Sequence, residues 1–302
     1  MKLTFLGTGS AEMYPAPFCD CPHCAAARQE GGKSIRANSS ALVDGDILID
    51  LNGTCEHVAA RLGISLAGVR HVLVTHAHPD HFAPDRLRWR RAGRTGVPPF
   101  DPASMAWSAR YSRGPEMIIH GNRFVQAALE QVLPPERLAS AAYDLRFALT
   151  EEGREERWED FSFLPLRANH GDEPGMTHSY ILRRGGKTLL YALDTGGYDE
   201  DQLALLAREK FDCVVMEGTF GLRPCPDDAL PRPTGQGHMN LRKNRTLRRF
   251  LLENGCIGGD TPCILSHFCP HYTPPHSAYA PMVAGEGFIA AYDGMNIEIG
   301  RI

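Results

Sequence analysis

The chain has 302 residues, 43% of them hydrophobic and 23% charged, with a formal net charge of −4. That composition suits an ordinary soluble globular protein, and the negative balance excludes a general affinity for nucleic acid, whose binding rests on phosphate neutralisation. No apolar run approaches the roughly 18–20 residues a membrane span needs, and nine cysteines without an export-type leader point to a reducing cytoplasm, not a disulfide framework.

Taken in order, Leu3 to Leu6 reads as a first strand running into Gly7-Thr8-Gly9-Ser10, a turn that brings backbone close to a neighbour. No GxGxxG pattern or P-loop lysine follows, so a nucleotide-binding reading is weak. Loop 17–26 then carries Cys19, Cys21 and Cys24 in CxCxxC spacing, which can present three thiolates to one tetrahedral zinc. A fourth ligand must come from afar, and His271 and Cys269 are the candidates. The competing reading is three buried free thiols; a redox CxxC lacks its strand-then-helix context. Ala41-Leu42-Val43 and Ile47-Leu48-Ile49 flank Asp44-Gly45-Asp46, a hairpin signal. Asp50 ends the second strand, and Glu56 to Leu62 has helical spacing with Gly63 as its stop.

Val72-Leu73-Val74 delivers the densest chemical signal, His76-Ala77-His78-Pro79-Asp80-His81. Imidazole and carboxylate are the ligands that suit zinc, manganese or iron. In an extended segment His76 and His78 project to one side, and a turn at Pro79 swings Asp80 and His81 toward a second metal. Three further ligands stand at the ends of apolar runs: His170 after Phe163-Leu164-Pro165-Leu166, Asp194 after Thr188 to Leu193, and His267 after Cys263 to Ser266. Ligands at strand ends on one sheet edge converge without costly loop ordering.

Residues 85–113 hold seven arginines (Arg86, Arg88, Arg90, Arg91, Arg94, Arg110, Arg113) against two aspartates, with aromatic residues interleaved. The stretch reads either as an insertion offering guanidinium forks to an anionic substrate or as a solvated face or oligomer contact. Met117 to His120 is a core strand, with His120 a strand-end histidine without ligand company, followed by a helix over 122–132. Val214 to Glu217 is another buried strand, whose Glu217 lies behind the ligands and not among them. His238, at the start of a helix after Gly235-Gln236-Gly237, is the non-ligand histidine placed to serve a leaving group. Leu241 to Leu252 has a helical stripe, and Tyr292 to Met295 with Ile297 and Ile299 reads as a last strand.

The ordered set HxHxDH, His, Asp, His resembles the metallo-β-lactamase superfamily. That resemblance implies His76, His78 and His170 on one metal, Asp80, His81 and His267 on the other, and Asp194 bridging, with two divalent catalytic ions, Mn²⁺ or Zn²⁺. Within the superfamily the chain looks like the phosphodiesterases that open 5-phosphoribosyl 1,2-cyclic phosphate. The matching features are LTFLGTGSA at the start, Cys19, Cys21 and Cys24, His76 to His81, His170, Asp194-Thr195, His238, Ser266-His267 and Asp293-Gly294-Met295. The family implies a structural zinc on the three cysteines with His271, and catalytic roles for His238 and Asp80. Fold and function follow as expectations: an α/β (α+β) four-layer αβ/βα sandwich over 1–302 as one domain, acting as a dinuclear-metal hydrolase on a small anionic phosphodiester. No membrane or nucleic-acid partner is expected, and a homodimer is left open. Alternatives in the same superfamily are a lactone or thioester hydrolase, an RNA 3′-processing nuclease, and a non-hydrolytic protein of quinone-cofactor biosynthesis.

Overall fold

The computed structural model describes residues 1–90, 115–138, 143–224 and 237–300. Two seven-stranded mixed sheets face each other. The first runs β14-β1-β2-β3-β4-β5-β6, where β1 is Lys2–Gly7, β2 Ser40–Val43, β3 Ile47–Ile49, β4 His71–Leu73, β5 Met117–Gly121, β6 Leu145–Leu149 and β14 Asn296–Glu298. The second runs β13-β12-β11-β10-β9-β8-β7, where β7 is Glu156–Arg157, β8 Phe161–Ala168, β9 Thr177–Arg184, β10 Lys187–Ala192, β11 Cys213–Glu217, β12 Cys263–Ser266 and β13 Ile289–Ala290. In each sheet one half is antiparallel and the other parallel, with β3, β4, β5 and β6 parallel in the first and β10, β11, β12 and β13 parallel in the second.

Three cores explain why the strands carry little polar alternation. Between the sheets lie Phe5, Ile47, Ile49, Leu73, Phe163, Tyr180, Leu182, Leu189, Tyr191 and Val215. The outward-facing residues of β10 to β12, Leu190, Val214, Met216 and Leu265 among them, are covered by the helices Glu200–Leu206, Leu241–Glu253 and His276–Ala284. On the other side Leu48, Val72 and Ile119 pack under the helices Cys55–Arg61 and Arg123–Val132. Strands buried on both faces read as continuous apolar runs, and the result is helix, sheet, sheet, helix: the expected four-layer sandwich. Among the described residues no helix is long and apolar enough to cross a membrane.

The hairpin, the first strand and the helix after Asn240 form as expected; Asn122 and Asn240 cap their helices by accepting backbone N–H bonds. The C-terminal strand is shorter than its sequence suggests. Tyr292 to Met295 is a turn, with Gly294 at φ +91°, and only Asn296–Glu298 pairs with β1. Of the arginine-rich stretch, Arg86 forks onto Glu56 and Arg88 donates to the Val132 carbonyl at 3.3 Å, so both are committed to the scaffold. Residues 91–113 of that stretch lie outside the described residues.

Candidate metal centre

The ligands gather because strand after strand stops on the same edge. His76 to His81 follows β4, His170 follows β8, Asp194 follows β10 and His267 follows β12. Asp50, Asp194 and His267 all take a left-handed backbone, with φ of +62°, +47° and +63°. For a non-glycine residue that conformation is disfavoured and needs surrounding structure to hold it. Here it turns each side chain sharply off its strand and into the edge between the sheets.

Three groups of donor atoms result, the third being Asp194, Glu217, His238 and His267, which overlaps the second. In the first, one nitrogen from each of His76, His78 and His170 lies within 4.8 Å of the others. His170 Nε2 sits 3.2 Å from His78 Nδ1, while His170 Nδ1 donates to the Gly237 carbonyl at 3.1 Å, which fixes the ring with Nε2 facing in. In the second, Asp80, His81, Asp194 and His267 stand equally close. His81 Nε2 is 3.1 Å from His267 Nε2 and 2.6 Å from Asp194 Oδ2. Asp194 also reaches His76, with Oδ2 3.5 Å from His76 Nε2, so its carboxylate lies between the groups.

This donor set fits two divalent cations. His76 Nε2 and the Asp194 Oδ1 atom are buried with no hydrogen-bond partner, and such atoms cost about 1–3 kcal/mol each when left unmatched. Paired imidazole nitrogens 3.1–3.2 Å apart, flanked by acceptor-only carboxylates, are the donor arrangement that a divalent cation would fill. Burial alone would raise the Asp194 carboxyl, but His267 and His81 outweigh it and hold it well below the carboxylate range. Asp80 follows the same pattern, lowered by hydrogen bonds from His267 and His81.

Behind the ligands stands Asp50, wholly buried, which the sequence reading marked only as a strand end. Its Oδ2 accepts from His81 Nδ1 at 2.6 Å, and its Oδ1 accepts from the Thr75 backbone N–H at 2.7 Å. The Thr75 hydroxyl completes the clasp at 2.9 and 3.0 Å. A carboxylate gripping the far nitrogen of a metal-facing imidazole fixes its tautomer and orientation. The signal for Asp50 was present: an acid closing an apolar run, the same pattern that marked Asp194. On the opposite flank the Thr219 hydroxyl bonds His267 Nδ1 at 2.7 Å.

His238 stands outside the first two groups but shares the third with Asp194, Glu217 and His267. Its Nδ1 donates to Glu217 Oε1 at 2.9 Å and lies 3.6 Å from Asp194 Oδ1, and its ring is 4.7 Å from that of His170. Burial pulls the imidazole down, yet Glu217, Asp194 and Asp80 together lift it to about 9. Glu217 is itself anchored, accepting the Thr195 backbone N–H. Asn244, on the following helix, donates to the Glu217 carbonyl at 2.8 Å, and buried Lys243 donates to the Gly196 carbonyl at 2.7 Å.

The three cysteines also meet, with Cys19, Cys21 and Cys24 sulfurs within 4.8 Å of one another. Burial pushes the Cys24 thiol up to about 12. For Cys21, hydrogen bonds from Cys24, Cys19 and His23 outweigh burial and lower it. Neither Cys269 nor His271 joins that sulfur group; the Cys269 thiol lies 3.9 Å from Glu12 Oε1 and His271 is exposed. His23 Nδ1 nevertheless donates to the Pro270 carbonyl at 2.9 Å, so the cysteine loop does press on the segment that carries both. His120 is a buried strand histidine, its Nε2 3.0 Å from His71 Nδ1.

Residues 47–251 match the family model described as the beta-lactamase superfamily domain. Comparison with curated proteins by sequence finds no match. Among solved structures, a diphosphatase from the PhnP family is 19% identical with a TM-score of 0.67, covering 98% of this chain and 97% of its own. Zn²⁺-bound PqqB from Methylobacterium extorquens is 17% identical with a TM-score of 0.70, covering 99% and 100%. The short form of human tRNase Z is 17% identical with a TM-score of 0.59 and covers 100% of both chains. At these identities the likeness is one of fold.

Proposed function

The chain belongs to the beta-lactamase superfamily, and we propose that within it the protein is a dinuclear-metal hydrolase of a small phosphodiester, such as 5-phosphoribosyl 1,2-cyclic phosphate. The observation that supports this reading is His238, whose Nδ1 is taken by Glu217 at 2.9 Å where it meets Asp194 and His267, outside the His76, His78, His170 and the Asp80, His81, Asp194, His267 groups. Cleaving an alkyl phosphodiester leaves an alkoxide that must be protonated, and a positioned imidazole is the group for that task. Thioester hydrolysis makes a smaller demand of this kind, because a thiolate leaves unaided.

His76, His78 and His170 would hold one divalent cation, manganese or zinc; Asp80, His81 and His267 would hold the second, with Asp194 between. Bound there, the pair supplies the Lewis acidity that polarises a P–O bond and lowers the pKa of water. The chain's own residues do the rest. Glu217 orients His238 through Nδ1, which leaves Nε2 to give its proton to the departing oxygen. Asp50 and Thr219 hold His81 and His267 against rotation. Asp80 adds a carboxylate on the His267 side, its Oδ2 3.6 Å from His267 Nε2. Cys19, Cys21 and Cys24 would take a structural zinc, with His271 or Cys269 completing it after a local shift. All eight cysteines among the described residues are free, in keeping with a reducing cytoplasm.

The test is His238→Ala on two substrate classes. Turnover of a cyclic or alkyl phosphodiester should fall roughly 10²–10⁴-fold, while an activated aryl diester, whose phenolate needs little help, suffers far less. Metal content should not change. Equal losses on both classes would make His238 a binding or structural group and remove the main support for the reading.

A further inference from the structure

A line of rings continues outward from His238. The Phe220 ring meets His238 edge-on at 5.2 Å, and the Tyr272 ring meets Phe220 edge-on at 5.5 Å. Arg223 lies against both aromatics, its guanidinium carbon 4.6 Å from the Phe220 centroid and 5.0 Å from that of Tyr272. Rings on its flank hold a guanidinium in place without consuming its in-plane N–H donors. Among the described residues the Arg223 side chain makes no hydrogen bond and no ion pair; only its carbonyl is engaged, by Asn240 Nδ2 at 2.9 Å. By contrast Arg86, Arg167, Arg183, Arg184 and Arg245 are each tied to a carboxylate.

The segment that carries Arg223 is braced. Phe220 N–H donates to Met239 at 3.0 Å, Leu222 N–H to Tyr272 at 2.9 Å, and Leu241 N–H to Gly221 at 2.8 Å. Gly221 has φ +33°, and a Cβ there would stand 2.5 Å from both the Tyr272 carbonyl oxygen and the Thr273 hydroxyl. Only glycine allows that close approach. The Phe220 and Tyr272 rings are therefore fixed relative to His238, and with them the guanidinium.

We infer that Arg223 anchors a terminal phosphate monoester on the side of the substrate that carries the leaving oxygen, one aromatic ring beyond the general acid. The inference rests on the phosphodiesterase reading. The single charge of the scissile diester is met at the ligand groups, so a fork of unpaired donors past His238 suits a second oxyanion carried on the side of the leaving oxygen. Guanidinium forks match the oxygens of a phosphate in a bidentate fashion, and a lysine at the same place would offer only a point charge. The site thus selects a phosphodiester that bears a second phosphate on its leaving-oxygen side over one ending there in a hydroxyl.

Calorimetric binding of ribose 5-phosphate and of ribonate to the metal-loaded protein tests this. Arg223→Met should weaken ribose 5-phosphate by about 10–100-fold. Arg223→Lys should restore only part of that, with circular dichroism and metal content unchanged in both variants. A parent protein that binds no ribose 5-phosphate, or a Met variant that binds it as tightly, overturns the assignment. Ribonate bound in preference to ribose 5-phosphate overturns the choice of phosphate. Hydrolysis of bis(p-nitrophenyl) phosphate, which lacks any second anion, reports on the phosphodiesterase reading separately. A parent active on it but blind to ribose 5-phosphate would keep that reading and lose Arg223 as an anchor.

Discussion

Asp50→Asn separates orientation of a ligand from its presence. In the parent, Asp50 Oδ1 accepts from Thr75 N–H at 2.7 Å and Oδ2 from His81 Nδ1 at 2.6 Å. An asparagine keeps the shape but has one oxygen to offer. The Thr75 backbone donor claims it, so the amide NH₂ must face His81. That forces His81 Nδ1 to accept and moves the ring proton to Nε2, the atom 2.6 Å from Asp194 and 3.1 Å from His267 Nε2. A protonated nitrogen is no ligand. Loss of such an outer partner typically costs 10–100-fold in metal affinity, and the weakened site should be that of Asp80, His81 and His267, with the His76, His78, His170 ion retained. Asp50→Ala would instead strand Thr75 N–H, the Thr75 hydroxyl and His81 Nδ1 in a dry interior. At about 1–3 kcal/mol for each orphaned group, that variant should lose several kcal/mol of stability even without metal. Metal content after dialysis against graded chelator, together with urea melts of the apo-protein, measures both effects. An Asp50→Asn protein that holds two catalytic metals with parental affinity would refute the tautomer argument.

Two further outcomes are expected. Cys21→Ser should release one zinc and lower the melting temperature while the catalytic metals stay, because metal binding at such a site is folding free energy; unchanged zinc content and melting temperature would leave three clustered thiols and no structural metal. For pH, His120 and His178 are buried and held down to about 3 and about 4, in both cases foremost by burial, and at His178 by burial alone. The folded state binds fewer protons than the unfolded one at these positions, so their contribution is fully present above about pH 6.5 and is lost as pH falls toward 4 and then 3. At pH 5 each should cost about 2 kcal/mol, and His178→Leu should flatten the acid limb of apo-protein urea midpoints by one proton.

Much of the centre could be read before the fold was known because its signals are local. His76, His78, Asp80 and His81 occupy six residues, and His170, Asp194 and His267 each end an apolar run that the structure makes a strand of the second sheet. What stayed hidden depends on partners distant in sequence. Asp50 and His81 are 31 positions apart, and Glu217 and His238 are 21 apart, so their bonds follow only from which strand ends adjoin. Strand β9 escaped because Thr177 to Leu182 is buried without interruption, polar residues included, which erases the alternation that marks a half-exposed strand. The helix His276–Ala284 carries Pro281 and little amphipathic contrast, so it reads as loop. The helix Glu200–Leu206 was findable from Asp199 and the acidic first turn.

The left-handed residues explain why this edge of the sandwich, and not another, carries the chemistry. Six described non-glycine residues have positive φ, and three of them are Asp50, Asp194 and His267. Each follows a buried strand, so the sheet fixes its position to within a hydrogen-bond register. A conformation costing roughly 1–3 kcal/mol persists only where the surroundings over-determine it. At Asp50 the surroundings are Thr75 and His81; at His267 they include Thr219 and the Phe268 N–H donating to Thr8 at 2.9 Å. At Asp194 they include Glu217 and Lys243, which grip Thr195 and Gly196 immediately downstream. Relaxing any one of these strand ends into ordinary extended backbone would swing its carboxylate or imidazole away from the cleft. Strain at the edge is thus the geometric condition for the donor groups to meet at Asp194, and the clasps behind them are what hold that condition in place.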